Sequence, residues 1–160
     1  MKLFKTIHFD QSDANVYETV AGSDEWAVSG AFAFSNASPE TLSGKAKQAF
    51  SNGFLSLEGF GRATFVTIAQ ITRDEERALV DKLSQHFVDH YGAPDLRAAK
   101  PAAQAELEFA RSTCAGEPVN TVFTVRRHLD DDGNIKEEYR IVTPPTDTTH
   151  TKVWDIVEDE

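Results

Sequence analysis

The tightest constraint on this chain is a pair of alternating runs, residues 119–129 and 135–143, joined by Asp130-Asp131-Asp132-Gly133-Asn134. Period-two alternation on both sides of a polar, Gly-containing loop predicts a β-hairpin. One register faces Val125 with Tyr139 and Phe123 with Ile141 on the inner side. The same register sets Arg126 opposite Glu138 and Arg127 opposite Glu137. A slip of one residue would turn every side chain to the wrong face, so apolar and charge pairing select the same answer. Arg126, His128, Lys136 and Arg140 then share the outer face with Glu138. This locally basic patch could hold an anionic ligand or an acidic partner surface, although a solvated, charge-paired sheet face is the usual explanation of such a pattern. Arg126, His128 and Arg140 are the candidate ligand- or partner-binding residues.

Elsewhere the pattern alternates between strand and helix. Residues 2–9 place Leu3, Lys5, Ile7 and Phe9 on one face and Phe4, Thr6 and His8 on the other, a strand pattern. Residues 10–25 read as loop around a short strand at Val16–Val20. Residues 26–34 set Trp26, Val28, Phe32 and Phe34 against Ala27, Ser29, Ala31 and Ala33, which predicts a further strand. Ser38-Pro39-Glu40-Thr41 has the chemistry of a helix start, with the helix running to about Asn52 and stopping at Gly53. Residues 62–71 are apolar on both faces and predict a central strand. Thr72-Arg73-Asp74-Glu75 forms a capping box for a helix to Tyr91, with Gly92 after it. Pro94-Asp95 opens another helix to about Ala115, in which Pro101 predicts a break or kink. Pro144-Pro145 ends the hairpin, and Val153, Trp154, Ile156 and Val157 suggest a last short strand before the acidic end, 158–160. With no repeat and no low-complexity linker, residues 1–160 read as one domain. The predicted class is α+β: a largely antiparallel or mixed sheet with two to three helices packed on one face.

Composition narrows the function classes. The 160 residues carry a formal charge of −10, with a pI near 4.9. Such a surface repels phosphate backbones and anionic headgroups, so neither nucleic acid nor membrane is an expected partner. Cys114 is the sole cysteine, which rules out an intrachain disulfide and fits a cytoplasmic setting. Residues 1–10 lack the apolar run of a signal peptide, and no stretch approaches the roughly 18–20 apolar residues that span a bilayer.

Few residues form a pattern that carries chemistry. His86 and His90, four apart on one helix, have a spacing that can hold zinc. Yet they sit at the margin of the apolar sector of Leu79, Leu83 and Phe87, and no third ligand follows from spacing. A histidine near a helix C-terminus is favoured by the macrodipole without a metal. No cofactor is expected beyond zinc at that pair. The acidic turn at 130–134 fails the EF-hand pattern, since Gly133 falls at position four and Ile141 at twelve. Gly53, Gly59 and Gly61 match neither phosphate-binding fingerprint, and Gly59-Phe60-Gly61 reads as a turn into the central strand. Cys114 has no nearby histidine to act as its base.

Three stretches, Glu25-Trp26-Ala27-Val28-Ser29-Gly30-Ala31-Phe32, Gly53-Phe54-Leu55 and Tyr91-Gly92-Ala93-Pro94-Asp95-Leu96, resemble a family of small bacterial proteins defined as a domain of unknown function. The resemblance runs along most of the chain. It implies a bacterial cytosolic protein and transfers no active-site residue. The first functional expectation is a non-enzymatic binding or accessory domain acting through protein–protein contact. The alternative is a small enzyme or ligand-binding protein with a pocket near Trp26, Phe32, Gly59 to Gly61 and His86/His90, in one version metal-dependent. Self-association through an exposed edge strand or the region of Trp154 is a third.

Overall fold

The computed structural model describes residues 1–9 and 13–142. The expected last strand around Trp154 lies outside the described residues. Seven strands form one sheet: β1 (Lys2–Ile7), β2 (Trp26–Val28), β3 (Phe54–Ser56), β4 (Arg62–Ala63), β5 (Phe65–Gln70), β6 (Val122–Leu129) and β7 (Ile135–Val142). Their order is β4-β3-β2-β1-β5-β6-β7, and every named neighbour pair is antiparallel. The helices are a single turn α1 (Asp13–Val16), then α2 (Gly44–Asn52), α3 (Arg73–His90) and α4 (Leu96–Ala115). The class is therefore α+β.

One detail dictates the shape. Only Thr64 separates β4 from β5, yet three strands lie between them in the sheet. A flat sheet cannot bring its fourth and fifth strands so close, so the sheet curls into a half-barrel. The predicted strand over 62–71 is thus one chain segment that changes partner at Thr64, pairing first with β3 and then with β1.

Helix ends follow local chemistry. The Thr72 hydroxyl accepts from the Glu75 N–H while the Glu75 carboxylate accepts from the Thr72 N–H, the reciprocal capping box. Asp95 caps α4 by accepting from Ala98 N–H at 2.8 Å. Pro101 does not break α4. It removes one backbone bond from a 20-residue helix whose buried face, Ala99, Ala103, Leu107, Ala110 and Cys114, holds it in place.

Three expectations differ from the structure. The Val16–Val20 strand is replaced by the α1 turn and a single bridge from Val20 to Arg62. The strand over 26–34 stops at Val28, and residues 31–34 form a 3₁₀ turn. Gly30 is the cause. It lies at φ +78°, and a Cβ there would meet Leu55 Cβ at 2.5 Å and Arg62 Nη1 at 2.7 Å. The helix expected from Ser38 begins only after Ser43, because Ser38 and Thr41 close a turn of their own.

Packing is continuous from sheet to helices. α3 and α4 pack on each other, α4 also lies on β1 and β2, and α2 lies against β6. Phe4 of β1 touches the rings of Phe54, Phe123 and Tyr139, so strands from both halves of the sheet meet at its centre. Leu3, Val66, Ile68, Leu83 and Leu107 are fully buried around it. No helix among the described residues is long and apolar enough to cross a membrane.

Candidate functional site

The hairpin has the expected register throughout: Val125 faces Tyr139, Phe123 faces Ile141, Arg126 faces Glu138 and Arg127 faces Glu137. Only Val122 and Phe123 of β6 pair with β5, so the rest of the hairpin leaves the sheet. On the side that β5 vacates, Asn52 at the end of α2 donates its amide to the Val125 carbonyl. Asp130 shapes the tip: its carboxylate accepts from the N–H groups of Asp132 and Asn134, which also holds it below its ordinary range.

The two faces of the hairpin have opposite chemistry. Outward, Arg126, His128, Lys136, Glu138 and Arg140 are exposed, with Arg140 and Glu138 paired at 3.5 Å and Lys136 and Asp130 at 3.8 Å. Inward, Arg127 is a buried cation with every donor engaged. Its Nε donates to Glu137 at 2.7 Å, Nη1 to the carbonyls of Phe50 at 2.8 Å and Gly53 at 2.9 Å, and Nη2 to the Ser29 carbonyl. Those carbonyls include the free end of α2, where a cation is favoured by the helix dipole. Arg62 reaches the same Gly53 carbonyl and that of Gly30, with Phe34 against its guanidinium. Burial first, and then the charge of Arg127, lowers its pKa to about 10. Glu137 also accepts from the Ser29 and Tyr139 hydroxyls. On α4, burial and then the nearby Glu137 hold the Glu106 carboxyl above its ordinary range. This polar centre ties α2, β2, β6 and β7 together. Arg62 was not singled out in the sequence. Arg127 was paired correctly, and its odd-numbered place beside Phe123 and Val125 already put it on the apolar face.

His86 and His90 lie side by side, with ring centroids 4.9 Å apart. The Phe60 ring stacks flat on His86 at 3.8 Å, and Tyr91 flanks His86 at 5.5 Å. Phe32 meets Phe87 and Tyr91 edge-on. The fold therefore brings Phe32, Phe60 of the Gly59-Gly61 turn and the two histidines together, while the Trp26 ring lies beneath the Lys5 ammonium and its backbone bonds to Leu57 and Glu58. Phe60 occupies φ +59°, unusual for a bulky residue, and Gly61 next to it has the Val20–Ala21 backbone 2.5–2.6 Å from where a Cβ would stand. Partial burial, then His90, holds His86 below its ordinary pKa. Among the described residues no group of three or more His, Cys, Asp or Glu gathers to hold a metal ion.

Two further places complete the inventory. Cys114 is buried, and burial pushes its thiol up to about 12, opposite to what a nucleophile needs. A groove of about 490 Å³ between α3 and α4 gathers Arg73, Arg77, Lys100 and Arg111 beside Glu76, Asp81 and Glu108. Its cations are partly compensated: Arg111 pairs with Glu76 at 3.0 Å and Arg77 with Asp74 at 3.4 Å. The groove is not legible in the sequence because its charges come from two helices that meet only when α3 and α4 pack.

No curated protein and no solved structure matches the chain. The three stretches that resemble a bacterial domain of unknown function are structural in content: Gly30 makes the tight turn against Leu55 and Arg62, Gly53 ends α2, and Asp95 caps α4. All three lie within residues 1–155, over which the chain matches a family of unknown function, DUF6505, and it belongs to that family.

Proposed function

We propose that this protein is a non-enzymatic, cytosolic interaction domain that docks an acidic protein surface on the outer face of its hairpin. The observation that carries the reading is the division of the hairpin: Arg127 and Glu137 are spent inside, while Arg126, His128 and Arg140 stand exposed on one face of a chain with net charge −10. A locally cationic face on an anionic molecule steers an acidic partner to one place and repels it elsewhere. The reading is further supported by the commitment of Ser29, Arg62, Arg127 and Glu137 to buried structural bonds. Arg126→Glu with His128→Glu, both on β6, should abolish capture of a partner from cytosol at low salt and leave the thermal transition in place. Unchanged capture would refute the siting.

A second reading places a ligand at Phe60, His86, His90 and Tyr91, supported by the strained backbone of Phe60 and the convergence of four rings. Zinc titration followed by imidazole proton resonances tests its metal-dependent version. Shifts confined to His86 and His90 would support it, and resonances unmoved at excess zinc would remove it.

A further inference from the structure

We propose that the outward edge of β7 pairs antiparallel with the same edge of a second copy of this chain, about a two-fold axis at Tyr139. The inference rests on reading the hairpin as the interaction element and names what its open side takes.

β7 is the last strand in the sheet order, and among the described residues it pairs only with β6. It is eight residues long and contains neither proline nor glycine. Such an edge is a template for another strand unless a bulge, a proline, edge charges such as lysine or an inward charge blunts it; the outward charges of β7, Lys136, Glu138 and Arg140, are of both signs and can pair across a new partner. The one inward charge, Glu137, is turned onto Arg127, Ser29 and Tyr139 and so does not blunt this edge.

Charge selects the occupant and the register. A two-fold axis normal to the sheet sets residues of equal parity opposite each other and keeps both outer faces on the same side. Centred on Tyr139, the axis places Glu138 opposite Arg140 of the second copy, and Arg140 opposite Glu138, so both charged contacts are attractive. Centred on Glu138, it sets Lys136 against Arg140. Centred on Arg140, or again on Glu138, it sets a charge against itself on the outer face; centred on Glu137, it lets Lys136 face Glu138 but brings two Glu137 carboxylates together on the inner face. Tyr139 pairs with its own equivalent in the favoured register, an aromatic cross-strand pair. Two large exposed apolar side chains lie by this strand, Ile141 of β7 at 56% and Phe109 of α4 at 49%, the latter 6.2 Å from the Tyr139 ring. Pairing would cover part of both. A strand-to-strand contact lies at the small end of interface sizes, so the association is concentration-dependent.

The test uses the full chain and sedimentation over a wide concentration range. The wild type should form a dimer. Arg140→Glu and Glu138→Arg, both at exposed positions, should each weaken it by about tenfold or more. Mixing the two variants should restore a heterodimer, because Glu in one copy then faces Arg in the other at both contacts. A dimer unaffected by either variant, or variants that fail to combine, would overturn the proposal. So would a full-length monomer at the highest concentration, and slow exchange of the outward β7 amides in that monomer would assign the edge to the chain's own C-terminal residues. If that monomer still loses its acidic partner through Arg126→Glu and His128→Glu, the outer-face reading stands while self-pairing falls.

Discussion

Arg127 shows why a charged residue can belong to a core. Each of its nitrogens meets an acceptor oxygen buried with it: at the end of α2, in the turn after β2 and on Glu137. A methionine fills similar volume but donates nothing, and it strands Glu137 beside Glu106. Arg127→Met should therefore cost about 3–5 kcal/mol, the usual penalty for removing one partner of a buried pair. Arg126→Met, one position along and outward, should stay within about 0.5 kcal/mol. Urea unfolding of both variants tests the contrast, and equal losses would mean that Arg127 is not the tie it is described as. The pairing of Arg127 with Glu137 was legible from alternation alone. The carbonyls that it satisfies were not, because residues 29, 50 and 53 are distant in sequence. Arg62 was hidden for the same reason, in a run whose neighbours are apolar.

Among the elements, α4 and the hairpin meet across a like-charge contact. Glu106 on α4 has its carboxyl raised by burial first and by Glu137 second, with Arg127 partly opposing. A carboxyl whose folded pKa lies above its unfolded value stabilises the fold fully below the unfolded pKa and less as pH rises through the folded one. Glu106→Gln should therefore leave stability unchanged in acid and raise it at neutral pH, flattening that part of the pH profile. Denaturation curves at several pH values decide it, and a variant less stable at neutral pH would contradict the assignment. Elements were legible where their signals are local. The Thr72 capping box, the Asp95 cap and the hairpin register each need only a few neighbouring residues, and each is present. Elements were misread where a distant group intrudes. Leu55 and Arg62 crowd Gly30 and end β2 early, while the bonds between Ser38 and Thr41 hold back α2. The candidate docking face was legible because it is one face of that hairpin, whereas the α3–α4 groove arises only when two helices pack.

At the scale of the molecule, the sheet order was not legible, since nothing near Thr64 in sequence announces that the chain changes partners there. The order has two ends with different fates. β4, only two residues long, is a poor template, while β7 is eight residues long and, among the described residues, open on its outer side, so growth of the sheet is directed to one side. That asymmetry favours a closed pair over an open filament, because one usable edge per copy allows a two-fold contact and nothing further. β1 also stands between β2 and β5, with both Leu3 and Phe4 fully buried. On the ribosome this strand emerges before either neighbour, and its six-residue partner β5 begins only at Phe65. At roughly 5–20 residues per second, that is a wait of several seconds. Through that interval the side of β1 that β5 covers in the finished protein has no partner, so Leu3 and Phe4, fully buried in the end, need protection during synthesis.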